Sequence, residues 1–374
     1  MLVHTLSYSA ADGWSAPFPT VDPARTLIFC FGASEYLADC DPIVELASLG
    51  GFLIGCSTAG EIHGPEVADG TLAVAIAEFE HTRLRVTAEQ ISSGTSYLAG
   101  GLIGEGLRGD GLRAVFVLSD GLDVNGSDLV AGLTASLPEG VVVTGGLAGD
   151  GSRFERTWVI VDGKPASGFV TAVGLYGDRI EVGHGSKGGW DIFGPERTVT
   201  RSTGNVVYEL DGRPVLALYK EYLGDLAAEL PASGLLFPLA VRAPGDDKQL
   251  VRTILGIDEE AQSLIFAGDV PQGHRVQLMQ AQFDRLIGGA EAAAAVAVGR
   301  IPGEPSLSVA ISCVGRRLVL GERTEDELEA TLHALPDGIA QVGFYSYGEI
   351  SPYGEGTCDL HNQTMTLTTL GEVA

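Results

Sequence analysis

The sequence predicts an α/β or α+β fold with two sheet-containing halves, and three observations support this fold class. Its 374 residues are 45% hydrophobic and 19% charged, a globular composition in a chain long enough for two domains. One order of elements, namely strand, loop, helix, strand, Gly-rich loop and strand, occurs three times. The Gly-rich loops follow buried strands, where open sheets present their ligand loops. We therefore expect two domains, 1–212 and 213–374, built from repeated strand-loop-helix-strand units.

The first copy begins with an apolar strand at 26–31 (TLIFCF), followed by a short helix that starts at Asp41. A second buried strand, 52–54, enters the loop 55–61 (GCSTAGE). The apolar run 71–79 then returns as the last strand of the unit.

The second copy repeats this order from the strand at 114–118. A helix follows with Ser127 as its expected N-cap, because a hydroxyl there can accept a bond from a free backbone N–H. The strand 141–143 then leads into the Gly-rich loop 145–151, and 158–161 is the next strand.

The third copy starts with the strand 307–311 and continues into a helix with an expected capping box from Thr324 to Glu327. The strand 342–345 is followed by the loop 346–350, SYGEI. This loop resembles STAGEI at 57–62 except for one missing residue, so we expect equivalent strand ends in the two copies.

Copies two and three are separated by a segment without the repeated order. The Gly-rich stretch 183–195 is expected to be a connector or a ligand loop. A strand at 205–210 and a helix near Pro214 open the second half, and a longer helix is expected over 276–298.

The charge of the chain excludes several classes of partner. It carries 23 Lys and Arg against 49 Asp and Glu, a formal net charge of −26. Such a field repels phosphate backbones and anionic lipid, so nucleic-acid and membrane-surface binding are not expected. An anionic ligand would need a local arginine.

The N-terminus lacks a basic segment followed by a long apolar one, and apolar runs such as 292–298 fall short of the roughly 18 residues of a membrane helix. The five cysteines form no CxxC pair, which argues against a disulfide framework or a Cys-based zinc site. We expect a cytoplasmic protein with reduced thiols. The cysteines are Cys30, Cys40, Cys56, Cys313 and Cys358.

Five motifs in one order, GFLIGCSTAGEI, GGLAGDG, GWDIFGPERTVTRSTGNVVYELDG, SCVGRR and GFYSYGEISP, resemble the FIST family. The resemblance spans about 26 to 370 and implies FIST N-terminal-like and C-terminal-like domains at 1–212 and 213–374. It also implies a cytoplasmic sensory protein that binds a small ligand, proposed in the family to be amino acids or related metabolites, and acts on signalling partners.

The run LHNQTMT at 360–366 is similar to the ending of single-domain bacterial FIST members. A branch of these proteins senses nitric oxide through haem and regulates a histidine kinase or a cyclic-dinucleotide enzyme. The resemblance therefore implies two kinds of sensor, one for a gas bound to haem and one for a metabolite without haem.

The repeated loops supply the candidate site. The loop 55–61 combines a thiol, two hydroxyls and a carboxylate that could face a ligand together, although a tight turn capped by Ser57 or Thr58 is the plain structural alternative. Glu61 and Glu349 could bind an ammonium group if they converge. The candidate ligand-binding residues are Cys56, Ser57, Thr58, Gly60, Glu61, Gly146, Asp150, Cys313, Arg316, Ser346, Glu349 and Asn362.

Among the few arginines, Arg316 is the expected carboxylate anchor, because it follows a buried strand beside Cys313 and its planar fork suits a carboxylate. Arg252 and Arg317 are expected to form salt bridges with the surplus acids.

A catalytic role is not expected, since the chain has no GxSxG elbow, phosphate-binding loop or HExxH helix. The GxGxxG match at 104–109 precedes a strand and is interpreted as a loop. The alternative is a thiol-dependent enzyme that uses Cys56 or Cys313, because a thiolate needs only a nearby base or helix N-terminus. A small buried apolar role is the commoner one for cysteine.

For haem, His184 and His361 are the candidate iron ligands among seven histidines, since both lie beside Gly-rich or polar segments. His333 on a capped helix and His4 near the chain end are poor candidates.

Overall fold

The computed structural model describes residues 1–246, 248–354 and 358–373. Over these residues the strands are β1 Leu2–Ser9, β2 Gly13–Trp14, β3 Thr26–Gly32, β4 Phe52–Ser57, β5 Glu61–His63, β6 Glu66–Ala68, β7 Thr71–Glu78, β8 Arg83–Gln90, β9 Leu112–Ser119, β10 Val142–Leu147, β11 Val159–Val161, β12 Lys164–Ala166, β13 Phe169–Tyr176, β14 Ile180–Lys187, β15 Asp191–Thr203, β16 Val206–Leu210, β17 Arg213–Pro214, β18 Leu239–Arg242, β19 Gln249–Arg252, β20 Ile254–Asp258, β21 Ser263–Phe266, β22 Arg275–Gln280, β23 Leu307–Cys313, β24 Ala340–Ser346, β25 Gly348–Pro352, β26 Cys358–His361 and β27 Met365–Glu372.

The α-helices are α1 Asp41–Ala47, α2 Ser96–Leu107, α3 Gly126–Ser136, α4 Val215–Leu223, α5 Phe283–Val298, α6 Val314–Leu320 and α7 Thr324–Ala334. Short 3₁₀ helices lie at Pro23–Arg25, Ser34–Leu37, Ser93–Thr95, Gly224–Glu229, Ala232–Leu236 and Gly321–Arg323. The mixed α/β fold class expected from the sequence is confirmed.

The three copies expected from the sequence form three equivalent sheets. In each copy the first strand lies parallel to the second and antiparallel to the last: β3 between β4 and β7, β9 between β10 and β13, and β23 between β24 and β27. One more strand, β1, β8 or β14, pairs with the last strand of its copy. We call these assemblies the first, second and third repeat.

A glycine at the same register of each second strand explains a motif that the copies share. A Cβ at these positions would lie 1.8 to 1.9 Å from a carbonyl oxygen of the neighbouring first strand, which no side chain can tolerate. The glycines are Gly55, Gly145 and Gly343.

Each repeat has a two-stranded hairpin that pairs with the sheet of another repeat. The β5–β6 hairpin pairs with β24 of the third repeat, β11–β12 pairs with β4 of the first, and β25–β26 pairs with β10 of the second. This cyclic exchange ties the three sheets together around one apolar core. Inward-facing residues of the three first strands fill that core: Leu27, Phe29, Phe31, Ala114, Phe116, Leu118, Leu307, Val309 and Ile311.

The segment 191–280 is inserted into the third repeat between β14 and α5. It forms an eight-stranded sheet in the order β19-β18-β22-β15-β16-β21-β20, with β17 as the eighth strand paired to β16. Helix α4 packs on this sheet, which has a core of its own. The strand, turn and helix expected from 205 to 224 are confirmed, and Gly224 ends α4 with φ 57°.

The division at residue 212 stays a prediction. Sheets of the second and third repeats contain strands from both sides of that boundary, since β25 and β26 pair with β10, and β5 pairs with β24.

Two segments differ from expectation. The prediction of a connector or ligand loop at 183–195 is wrong, because most of this segment forms the end of β14 and the start of β15. A Cβ at Gly183 or Gly185 would lie 2.0 Å from the carbonyl oxygen of Ala297 or Ala293, so these glycines let α5 pack closely on β14. Residues 276–280, expected to be helical, lie in β22, and α5 begins only at Phe283.

Helix ends also differ. Asn125, not Ser127, caps α3, with its Oδ1 accepting bonds from the N–H groups of Ser127 and Asp128 at 3.0 and 3.1 Å. The capping box at Thr324 does not form, since Thr324 Oγ1 donates to the Gly321 carbonyl oxygen. Most of the GxGxxG match is the last turn of α2. Among the described residues, no helix is long and apolar enough to cross a membrane.

Candidate functional site

The loops that follow the second strands of the three repeats meet in a closed ring. In each loop one backbone N–H donates to a carbonyl oxygen at or near the end of the second strand of another repeat. The bonds run from Ala59 N to Tyr345 O (2.8 Å), from Tyr347 N to Leu147 O (3.3 Å) and from Gly149 N to Ser57 O (2.9 Å). We call the segments 57–60, 147–150 and 345–348 the loop ring.

The loop ring brings together most of the predicted ligand-binding residues. Five of them lie within it, namely Ser57, Thr58, Gly60, Asp150 and Ser346, and four more adjoin it in sequence, namely Cys56, Glu61, Gly146 and Glu349. Asn362 joins through its Nδ2, 3.5 Å from the Tyr347 carbonyl oxygen. All are buried. The side chains therefore build the interior of the ring instead of an open surface.

Glu61 and Glu349 form the same arrangement in the first and third repeats. Glu61 accepts from Thr58 Oγ1, three residues earlier, and from Thr71 N and Oγ1 at 3.0 and 2.9 Å. Glu349 accepts from Ser346 Oγ at 2.7 Å and from Thr364 N and Oγ1 at 3.1 and 2.8 Å. Each carboxyl closes onto its own repeat, so the described contacts form no shared ammonium site between them.

Both carboxyls have perturbed acidity. Burial raises the pKa of Glu61 and of Glu349 to about 7, against the opposing effect of the hydrogen bonds they accept. Near neutral pH each group therefore holds its proton part of the time, although it lies inside the protein.

The second repeat replaces this pair by two aspartates. Ala148 stands where the other repeats carry Thr58 and Ser346, and Asp120 accepts bonds from Thr157 Oγ1 (2.6 Å) and Gly168 N (2.7 Å). Asp150 accepts from three successive backbone N–H groups, those of residues 154 to 156, all at 2.9 Å. Asp150 thus shapes its own loop.

Arg316, expected to anchor a ligand carboxylate, is fully buried in a structural ion pair. Its Nε and Nη2 lie 3.0 and 2.7 Å from Glu327 Oε2, and its other contacts are the carbonyl oxygens of Gly188 and Leu286. The reason is that α7 presents Glu327, predicted as part of a capping box, to Arg316 on α6, next to the end of β23. The interpretation of Arg316 as a ligand residue therefore has no support in these contacts.

The two candidate nucleophiles are also enclosed. Cys56 and Cys313 are buried, and burial raises the pKa of both thiols. A thiolate is thus disfavoured at both positions near neutral pH.

A cleft of about 630 Å³ opens beside the loop ring, and we call it the loop cleft. Its walls come from all three repeats: Ala59, Val67 and Asp69 of the first, 151–153 of the second, and α6 with the start of α7 of the third. A ligand in the loop cleft would therefore contact all three repeats at once.

Arg317 and Arg153 are the cations of the loop cleft. Arg317 binds both carboxylate oxygens of Asp69 at 2.8 Å, which confirms the salt bridge expected for it, and donates to the Ala59 carbonyl oxygen at 2.6 Å. A Cβ at residue 60 would lie 2.6 Å from Arg317 Nη1, so Gly60 makes room for the guanidinium. Arg153 is half exposed and donates to Ser34 Oγ at 2.8 Å.

Sequence reasoning did not find Arg153 and Asp69. For Arg153 the available signal is its position three residues after the ring segment 147–150; Asp69 lies nine residues after the segment 57–60 and carries no such signal.

Two family models match the chain. The FIST N domain matches residues 26–213 and the FIST C domain matches residues 216–352. The chain belongs to the FIST family. No curated protein matches this FIST chain. Among solved structures, the crystal structure of a cyanuric acid hydrolase from A. caulinodans is similar at 8% identity and a TM-score of 0.38, over 99% of this chain and 98% of that chain. A likeness at this level carries no argument about function.

The histidines expected to ligate haem in this FIST protein are already engaged. His184 Nε2 lies 3.3 Å from Arg300 Nη1, and burial, together with Arg300, lowers its pKa to about 4. His361 Nε2 lies 2.9 Å from the Ser351 carbonyl oxygen, and burial lowers its pKa to about 4. An iron ligand needs a free nitrogen lone pair. His184 Nε2 directs its lone pair to Arg300, whereas His361 donates from Nε2 to a carbonyl oxygen and keeps the lone pair of Nδ1, on a buried side chain. Haem binding stays a prediction.

The described residues contain no group of three or more His, Cys, Asp or Glu side chains placed to hold a metal ion.

Proposed function

We propose that this FIST protein is a sensory protein without catalytic activity of its own, which binds a zwitterionic metabolite of the amino-acid class in the loop cleft. One observation carries the proposal: residues of all three repeats line a single cleft that presents both charges. Two guanidinium groups, Arg153 and Arg317, lie there with the carboxylates of Asp69, Glu322 and Glu325.

The ligand binds by replacing the ion pair between Arg317 and Asp69 with its own two charged groups. Its carboxylate competes with the exposed carboxylate of Asp69 for the fork of Arg317, and its ammonium group binds the carboxylate that is released. Because Arg317 belongs to the third repeat and Asp69 to the first, this exchange alters a contact between repeats. A ligand signals only through different affinities for two states. A signalling partner, such as a histidine kinase, would respond to that difference.

Two alternatives remain proposals of lower rank. Haem-based nitric-oxide sensing requires His184 to release Arg300, or His361 to bind iron through Nδ1 inside the protein. A thiol-dependent enzyme requires Cys56 or Cys313 to ionise inside the core. A Soret band that shifts with nitric oxide would favour the first alternative, and substrate consumption abolished by Cys56→Ser would favour the second.

The test is thermal stabilisation by the twenty amino acids, each compared with its methyl ester and its N-acetyl derivative. We expect at least one amino acid to stabilise the protein by about 2.7 kcal/mol at a hundredfold excess over its dissociation constant, without turnover. Both derivatives should fail, since each removes one charge.

Arg317→Lys should weaken binding tenfold or more, about 1.4 kcal/mol. Arg113→Ala, at an exposed arginine outside the loop cleft, is the matched control. Stabilisation by no amino acid, or equal stabilisation of the Arg317→Lys variant, would contradict the proposal.

A further inference from the structure

A second, smaller cavity of about 300 Å³ lies between the second repeat and the inserted sheet. On one side it is lined by α3 and β26, and on the other by β18, β19 and the segment 269–274. We call it the insert cavity. Its walls therefore combine residues from both sides of the boundary between the two family domains.

The guanidinium of Arg252 lies in the wall of the insert cavity with only neutral partners. The side chain is 4% exposed; Nε donates to the Asp269 carbonyl oxygen at 3.0 Å, and Nη1 donates to those of Leu360 and Val251 at 2.9 and 3.2 Å. Among the described residues, no carboxylate forms a salt bridge with Arg252, and its Nη2 has no hydrogen-bond partner. The salt bridge expected from the sequence is therefore wrong for these residues.

The backbone is shaped around this group. A Cβ at residue 268 would lie 2.9 Å from Arg252 Nε and 3.1 Å from Cζ, so Gly268 makes room for the guanidinium. The buried Arg316, by contrast, has the carboxylate of Glu327 as a partner. Burial lowers the pKa of Arg252 to about 10 although Asp359 and Asp269 lie near enough to oppose this. A buried charge with only neutral direct contacts is costly, and the cost falls when an anion binds.

Three aspartates line the insert cavity; Asp359 has the ammonium of Lys248 as a partner, whereas Asp269 and Asp246 accept bonds from neutral N–H groups. Asp269 Oδ1 accepts its bond from Asn125 Nδ2 at 3.1 Å. His274 also lines the insert cavity, and its Nδ1 is buried without a partner among the described residues. A second hydrogen-bonding group thus lies in the same wall as Arg252.

We infer that the insert cavity is a second ligand site, which binds a small monocarboxylate through Arg252 Nη2 and His274 Nδ1 and holds its short apolar chain against Val130, Val241 and Leu250. The volume suits a body of a few carbon atoms. Because the ligand's carboxylate binds the inserted segment and its apolar chain contacts Val130 of α3, its binding ties these two parts together. This site is separate from the loop cleft and does not depend on what binds there.

The experiment is calorimetric titration of the full chain with propionate, using propionamide as the uncharged analogue of the same shape. We expect millimolar binding of propionate and none of propionamide, because the amide lacks the charge that the guanidinium needs. Arg252→Gln should reduce the affinity at least tenfold.

Ala131→Trp provides a variant that leaves Arg252 unchanged. Ala131 is exposed on α3 and lines the insert cavity, so the indole should fill it and abolish binding in a folded protein. Ala292→Trp, at an exposed alanine of α5 outside the cavity, is the matched control and should bind propionate normally. Equal binding of propionate and propionamide, no binding at about 50 mM propionate, or undiminished binding by the Ala131→Trp variant would overturn the inference.

Discussion

The natural protein should become less stable as the pH rises from mildly acidic to neutral. Replacing Glu61 or Glu349 by Gln should remove the part of this change that the replaced carboxyl causes. Burial raises the pKa of each carboxyl to about 7, whereas its ordinary value is 4.5. Between these values the folded chain holds a proton that the unfolded chain has released. The free energy of unfolding contributed by each group is therefore greatest below pH 4.5, falls as the pH rises, and is level above about pH 7.

The size of the effect follows from the interval between the two pKa values. From 4.5 to about 7 it corresponds to about 3 kcal/mol for each carboxyl. A glutamine keeps the shape and cannot ionise, so the variant lacks this contribution. Relative to either variant, the natural protein should gain about 3 kcal/mol as the pH falls from about 7.5 to 4.5.

The assay is urea unfolding across this pH range, followed by fluorescence of the buried Trp158. Differences between natural protein and variant cancel the titration of other acids, such as Asp69, whose pKa the guanidinium of Arg317 lowers. Glu105→Gln, at an exposed position of α2, controls for the loss of one charge. If the curves of the natural protein and of both variants stay parallel, burial does not control these carboxyls and the reasoning is refuted.

Three further predictions concern the ion pair, the shared glycines and the thiols. Glu327→Gln should lower the free energy of unfolding by about 3 to 5 kcal/mol, because it leaves Arg316 buried and unpaired; a loss below about 1 kcal/mol in urea unfolding would contradict this. Alanine at Gly55, Gly145 or Gly343 should destabilise the fold strongly, because its Cβ would clash with a carbonyl oxygen of the first strand. Gly288→Ala in α5, where a Cβ meets nothing within 4 Å, should instead raise the free energy of unfolding by up to about 1 kcal/mol in the same assay. Because Cys56 and Cys313 are buried, both should react with iodoacetamide far more slowly in the native than in the urea-unfolded protein. Equal rates, measured by mass spectrometry, would support the alternative of a thiol-dependent enzyme.

The three repeats could be predicted because their signals are local. Each copy carries a buried strand, an amphipathic helix and a glycine where the second strand passes close to the first, and these depend on neighbouring residues. The exchange of hairpins could not be predicted. β5 has three residues, Glu61–His63, and nothing in them specifies an edge of the sheet more than 240 residues further along the chain.

The arginines show the same limit at the level of side chains. Arg316 was expected to bind a ligand and Arg252 to form a salt bridge, yet Arg316 forms the salt bridge and Arg252 has neutral partners. Glu327 reaches Arg316 only because α7 packs against α6 beside the end of β23. The carbonyl oxygens around Arg252 come from segments separated by about ninety residues, and backbone acceptors leave no trace in composition.

The loop ring suggests where the function of such a repeated scaffold resides. Its three bonds join backbone atoms, so they persist whatever side chains the loops carry, and Ala148 could replace a hydroxyl without opening the ring. The repeats differ where the loop cleft is charged. The loop between β10 and β11 is longer than its counterparts and delivers Arg153. The carbonyl oxygens that face the shared glycines belong to Cys30, Val117 and Ala310. Leu37 and Val124 follow the first two of these residues at the spacing at which Arg317 follows Ala310. The shared backbone thus maintains the ring, and ligand chemistry belongs to the positions at which the repeats have diverged.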